Sequence, residues 1–302
     1  MDVLINRAAE DESIVLLTGD LGFGLLEPFR DAFPNRYVNV GICEQNMVSV
    51  AAGLALEGRK VFCYSIGNFP SMRCLEQTRN DVAYHGCDVN IICVGSGFAY
   101  GALGMSHHAT EDLAIMRALP GIEVLCPADP FEARAVAKHC CESKTPSYIR
   151  LNKRGEKVLS PVVEDWKFGT AVARRQGDAE IALMCTGAIA GEAEKAARML
   201  EEKGMAISLH TFPCVKPIDK EAILSAASVA KAVVTIEEHS VIGGFGSAVA
   251  EVVAGEGVAT PVVRMGIGDE YSKVVGDQGY LRSLYGIDAD SIAMKCESIV
   301  AS

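Results

Sequence analysis

RYVNVGICEQNMVSVAAGLALEGRKVFCYSI, residues 36–66, decides how the chain is read. It opens on an apolar run (Tyr37, Val38, Val40) that reads as a strand ending at Gly41. SVAAGLALEG then reads as a helix, and KVFCYSI as a second strand. Apolar strands separated by helices belong to a parallel sheet covered on both faces. One carboxylate, Glu44, lies at the strand-to-helix junction. An acid in the first turn of a helix gains about 0.3–1 kcal/mol from the helix dipole. Open α/β sheets also place their ligands at the carboxyl ends of strands. Position alone therefore leaves Glu44 between a helix-start charge and a catalytic acid.

The same alternation extends in both directions. Strands are expected at 13–19, 36–40, 60–66, 89–95, 121–127 and 147–151, with helix-like segments such as EDLAIMRAL and DPFEARAVAKHCCE between them. Residues 152–167 are polar and mixed and contain Pro161. A hairpin is expected next: FGTAVARR, a turn at Gln176-Gly177-Asp178, then EIALMCTG. Alternation resumes with strands at 206–211, 232–238 and 260–267 and helices at 189–203, 219–229 and 243–254; a closing helix falls near 288–300. The expected fold class is α/β in two domains. A doubly wound parallel sheet spans 1–155, a linker and hairpin start 156–178, and a smaller mixed-sheet domain 179–302.

A chain of 302 residues accommodates two such cores. Its net charge of −11 argues against nucleic acid and acidic membrane surfaces as partners. No run approaches the roughly 20 apolar residues of a membrane helix, and MDVLINRAAEDES is not an export signal. A cytoplasmic location is expected. The 11 cysteines form no CxxC pair and lie mostly in apolar runs, so they read as buried thiols rather than zinc ligands or disulfides.

Several segments carry candidate chemistry. GALGMSHHATED (101–112) is a glycine-rich loop after a strand, ending in His107 and His108, of which one is expected to serve a polar site. Phe69 lies on the loop after strand 60–66. Arg73, Glu76 and Arg79 are spaced for ion pairs along one solvated helix face. Arg150, Lys153 and Arg154 form either a charged domain edge or a phosphate clamp. The glycines of EEHSVIGGFGSAVAE (237–251) suit close helix–sheet packing, with His239 a weaker site candidate. No metal-ligand set is apparent, and neither GxxxxGK[ST] nor GxSxG occurs.

In this order, TGDLG, NVGICEQNMVSVAAGLALEG, YSIGNF, GMSHHATEDLAIMRALPGIEVLCPADPFEA, PSYIRLNKRGE and EEHSVIGGFGSAVAE resemble the C-terminal half of transketolase. The likeness covers its pyrimidine-binding and C-terminal domains. It implies thiamine diphosphate as cofactor. Glu44 would meet N1′ of the aminopyrimidine and promote the tautomer that deprotonates the thiazolium ring. Phe69 would pack on the pyrimidine, and His107 would contact the reacting part of the sugar. Asp20 and Leu21, in GDLG (19–22), would lie at the cofactor. The family's GDG…N motif for the diphosphate and Mg²⁺ is not found. The resemblance therefore implies a split enzyme: a separate N-terminal-half chain supplies that motif, in an α2β2 heterotetramer acting on sugars or sugar phosphates.

Three departures bear on the substrate. Leu103 stands where the family has an Asp that contacts a sugar hydroxyl. Gly95 stands where it has a phosphate-binding His, and Lys153 where it has a phosphate-binding Arg. Leu103, Lys153 and Arg150 are the substrate-side expectations beside His107. A bulky or keto-type acceptor in a specialised sugar pathway is expected. The alternatives are a 2-oxoacid dehydrogenase β-type subunit, disfavoured by GMSHHATEDLAIMR, and a non-catalytic subunit, disfavoured by the presence of Glu44.

Overall fold

A computed structural model describes residues 1–302 apart from 154, 164, 178 and 302. Arg154 of the possible clamp and Asp178 of the expected turn thus lie outside the described residues. The strands are β1 (Ile14–Thr18), β2 (Tyr37–Asn39), β3 (Lys60–Ile66), β4 (Val89–Val94), β5 (Glu123–Leu125), β6 (Ser147–Leu151), β7 (Val172–Arg175), β8 (Ile181–Cys185), β9 (Ile207–Thr211), β10 (Cys214–Lys216), β11 (Ala232–Ser240) and β12 (Val262–Ile267). The helices are α1 (Asp2–Glu10), α2 (Glu27–Ala32), α3 (Glu44–Leu56), α4 (Leu75–Gln77), α5 (Asp112–Ala118), α6 (Pro130–Glu142), α7 (Ala190–Glu202), α8 (Lys220–Val229), α9 (Phe245–Gly255), α10 (Gln278–Leu284) and α11 (Ala289–Val300). No helix among the described residues is long and apolar enough to cross a membrane.

The two α/β sheets follow from the apolar runs. The first has the order β10-β5-β6-β4-β3-β1-β2 and is parallel except for β10. β1 is buried at all five positions, as a central strand covered on both faces requires. One face packs on Leu4, Phe29, Val136 and their neighbours. The cluster on the other face runs from Met47 and Val48 of α3 through to Val233 and Val249 of the second domain, so the two domains share a core. α6 starts where its sequence says it should: Pro130 leads it, and Asp129 accepts the backbone N–H groups of Phe131 and Glu132 at 2.9 and 2.8 Å.

The second sheet has the order β12-β11-β8-β9-β7. The expected hairpin is not formed. β7 pairs antiparallel with β9, while β8 lies between β9 and β11, parallel to both. The reason is burial: all five residues of β8 are buried, and a strand of that kind belongs at the sheet centre. β10 is the other departure. It leaves the second domain and pairs antiparallel with β5, Cys214 opposite Leu125, at the edge of the first sheet. Arg174 strengthens the junction; it is fully buried and donates to Glu132 at 2.6 Å and Asp129 at 3.3 Å.

Candidate functional site

The residues that follow β1 to β4 come together at the carboxyl end of the first sheet. Glu44 is the first residue of α3, yet its side chain is only 2 % exposed. It lies flush against the end of β1: a Cβ added at Gly19 would touch its Cγ and Oε1 at 3.6 and 3.7 Å. Its Oε2 accepts from Arg73 Nη1 at 2.8 Å. Arg73 therefore does not sit in a row of surface ion pairs with Glu76 and Arg79. It belongs to the helical segment after β3, where wide π-type turns (Phe69–Arg73 and Thr78–Ala83) flank α4. Such turns recur at functional sites. The same guanidinium lies over the Phe69 ring at 4.4 Å from its centroid.

Phe69 meets the second site element. Its ring contacts His107 edge-on, with centroids 5.3 Å apart. The adjacent histidines part company: His107 is half-buried at the cleft, whereas His108 is buried against Phe98 and bonds the Gly101 carbonyl at 3.2 Å. Buried Asn68 holds this loop, donating to the carbonyls of Ser106 and His108 at 3.2 and 2.5 Å. The second domain holds its other side. A Cβ at Gly101 would strike the Gly276 carbonyl at 2.5 Å and Leu281 at 2.6 Å.

Beyond His107 comes a residue that the sequence did not single out. The Tyr100 ring fills the space in front of Gly95, where a Cβ would lie 2.2 Å from its Cε2 and where φ is +93°. Only glycine suits that position. Tyr100 lies 6.4 Å from His107 and carries Lys153 Nζ 4.8 Å above its ring. Leu103 projects from the same loop, 55 % exposed. The line from Glu44 runs through Arg73, Phe69, His107 and Tyr100 to Lys153.

Asp20 and Leu21 follow Gly19 at the same strand end as Glu44, whereas Arg150 lies inside the fold. Asp20 is exposed at φ +58° and accepts from Asn39 Nδ2 at 2.8 Å, tying the end of β1 to the end of β2. Leu21 accepts from Thr18 Oγ1 through its carbonyl at 2.9 Å, so it braces the same loop. Arg150 is 2 % exposed and is not on the cleft surface. It donates to Asp112 at 2.7 Å, to the Ala109 carbonyl at 2.7 Å and to the Glu238 carbonyl at 3.0 Å. It is an internal joint between α5, β6 and β11. The thiols are free, and all but Cys43 are buried; burial pushes Cys74, beside Glu44, up to about 12.

Glu237 and His239 lie inside the domain junction, both fully buried and 3.7 Å apart. Burial pushes the Glu237 carboxyl up to about 7, against the pull of the Gly246 and Phe245 N–H groups. Burial pushes His239 down to about 4, although Asp112 and the Ser240 carbonyl favour its charge. The two oppose each other in stability. His239 takes up a proton more readily unfolded, so it costs stability as pH falls from about 6.5 to about 4. Glu237 holds its proton more tightly folded, so its contribution is present below about 4.5 and lost as pH rises through about 7. His239→Asn leaves the Glu237 slope uncompensated. The variant should lose about 3 kcal/mol of stability between pH 4.5 and 7 relative to the wild-type profile, read by thermal denaturation at a series of pH values. Parallel profiles would remove this assignment.

Comparison with known proteins now has a geometry to refer to. Residues 1–155 match the family model of the transketolase pyrimidine-binding domain, and residues 169–292 that of the transketolase C-terminal domain. The chain belongs to the transketolase family. A putative transketolase C-terminal section from Methanocaldococcus jannaschii is 36 % identical over 97 % of this chain and 92 % of its own length. An apulose-4-phosphate transketolase subunit of Actinobacillus succinogenes is 37 % identical over 88 % of this chain and 86 % of its own. An inactive β4 tetramer of a split-gene transketolase superposes with a TM-score of 0.88 at 36 % identity, covering 99 % of this chain and 96 % of that one. Among the described residues, this transketolase-family chain has no group of three His, Cys, Asp or Glu side chains placed to hold a metal ion.

Proposed function

We propose that the chain is the C-terminal subunit of a split, thiamine-diphosphate-dependent transketolase, moving a two-carbon ketol unit from a ketose to a carbonyl acceptor. The observation that carries the reading is Glu44: a carboxylate 2 % exposed at a strand end, linked through Arg73 to Phe69, which contacts His107. The residues fit the cofactor's aminopyrimidine. One Glu44 oxygen is held by Arg73, which leaves Oε1 for a ring nitrogen. Phe69 supplies an aromatic surface. Bound there, thiamine diphosphate supplies the electron sink for carbon–carbon cleavage. Glu44 exchanges a proton with the pyrimidine ring, and its burial beside Phe69 keeps that exchange from water. His107 orients the reacting carbonyl and hydroxyl groups.

The diphosphate and Mg²⁺ are assigned to an N-terminal-half partner carrying the GDG…N motif, in an α2β2 cytoplasmic assembly. The names of the relatives support this division, as does the inactivity of the β4 tetramer. At the substrate end, Tyr100 occupies the space in front of Gly95 and Lys153 lies above it. Leu103 adds exposed apolar surface. This end favours a bulky or keto-type acceptor, with Lys153 as a point charge rather than a bidentate fork.

Reconstitution tests both parts. The chain is mixed with its partner, thiamine diphosphate and Mg²⁺, then assayed with xylulose 5-phosphate as donor and with ribose 5-phosphate or bulkier ketoses as acceptors. Ketol transfer should need both chains, and kcat/KM for ribose 5-phosphate should fall below about 10⁴ M⁻¹s⁻¹, the low end of the ordinary enzyme range. Full efficiency with ribose 5-phosphate would sink the acceptor assignment. Transfer to no acceptor would sink the activity.

A further inference from the structure

We propose that Arg73 is a positioning residue for Glu44, locking the carboxylate and the Phe69 ring into one unit that meets the cofactor. The proposal rests on Glu44 being the partner of the pyrimidine.

The geometry has three parts. Arg73 Nη1 holds Glu44 Oε2 at 2.8 Å while Glu44 itself is 2 % exposed. The guanidinium carbon lies over the Phe69 ring at 4.4 Å from its centroid, within the range of a cation–π contact. Both anchors come from a single wide turn, Phe69–Arg73, whose last N–H reaches back to the Asn68 carbonyl at 3.3 Å. Asn68 in turn holds the His107 loop. One cation thus couples the carboxylate, the ring and the loop.

A carboxylate with two equivalent oxygens and a free χ3 presents either one, at a range of angles. Pinning Oε2 selects Oε1 and its direction. Among the described residues, Arg73 and the Cys74 thiol, which burial pushes up to about 12, are the titratable groups beside Glu44, and Gly19, just past β1, brings backbone. Arg73 is therefore the cation that matches the buried charge. Its own side chain is 46 % exposed, so it reaches the surface beside Glu44. A purely structural ion pair would not need to lie across the same aromatic ring.

Arg73→Met and Arg73→Lys, assembled with the partner subunit, test the proposal by two readouts. The first is the affinity for thiamine diphosphate with Mg²⁺, by titration calorimetry. The second is the pH profile of deuterium exchange at the thiazolium C2. R73M should bind the cofactor at least about tenfold more weakly and exchange more slowly across the pH profile. R73K keeps the charge without the fork, so it should recover part of the exchange rate but not the affinity. Tighter cofactor binding by R73M would overturn the proposal, since Arg73 would then stand where the ring belongs. Unchanged affinity and profile would also overturn it. Should R73M fail to assemble, R73K decides: wild-type affinity overturns the proposal and weakened affinity upholds it. Glu44→Gln, run in parallel, separates the two levels. Normal exchange in E44Q removes the cofactor reading and this proposal with it. Lost exchange in E44Q with unaltered Arg73 variants removes this proposal alone.

Discussion

Glu44→Gln lowers ketol transfer by the two-chain complex roughly 10²–10⁴-fold, the range for losing a positioned acid–base group. The substitution keeps the shape of the side chain and its place at the start of α3. The amide cannot exchange a proton with the pyrimidine, so the loss falls on kcat rather than on assembly. Stability should hold. Arg73 is half exposed, and an ion pair with one exposed partner is worth about 0–1 kcal/mol. An amide also replaces a charge in a site only 2 % exposed. The combination of collapsed turnover, intact complex and unchanged melting temperature is what separates a catalytic Glu44 from a helix-start charge. Unaffected turnover would leave it only the structural role.

Arg150→Met has the opposite signature. Arg150 lies below the cleft surface, where Asp112 is fully buried and Glu238 accepts through its carbonyl. Removing the guanidinium leaves Asp112, among the described residues, with one side-chain hydrogen-bond donor, the Tyr148 hydroxyl to Oδ2 at 2.6 Å, while Oδ1 has no hydrogen-bond partner and faces His239 Nε2 at 3.9 Å. Breaking one half of a buried pair costs about 3–5 kcal/mol. The melting temperature should drop on the order of 10 °C. Such assembled complex as survives should keep an ordinary KM for its sugar substrates. A raised KM with unchanged melting would instead return Arg150 to the substrate surface, against its burial.

The architecture was legible because each strand is a compact apolar run with turn residues at its ends. β10 was not, because three residues between Pro213 and Pro217 are too few to show a period. The hairpin error has a related origin. A turn-like Gln-Gly-Asp between two strands reads locally, whereas the full burial of β8 is a property of the finished sheet. Glu44, Phe69 and His107 could be nominated from the sequence because each follows a strand within a recognisable segment, and the structure brings them together through Arg73. Arg73 could not, since its spacing to Glu76 mimics a surface pair while its partner lies 29 residues away on another helix. Tyr100 left one sign only, a glycine at position 95 whose missing side chain makes room for it. Arg150 misled for the same reason that buried ions often do. A charge at the end of an apolar strand looks like a surface group until its counter-ion, 38 residues distant, is in view.

β10 has a consequence for how molecules reach the cleft. A domain pair joined only by a linker can open like a jaw, and ligand entry is then a hinge motion. Here a strand of one domain is knitted into the sheet of the other, and the shared core continues across the seam. Opening would have to tear a hydrogen-bonded ladder. A hinge between the two domains is therefore closed to this chain, and the loop that carries His107, braced by Gly276 and Leu281 of the second domain, keeps its distance from Glu44.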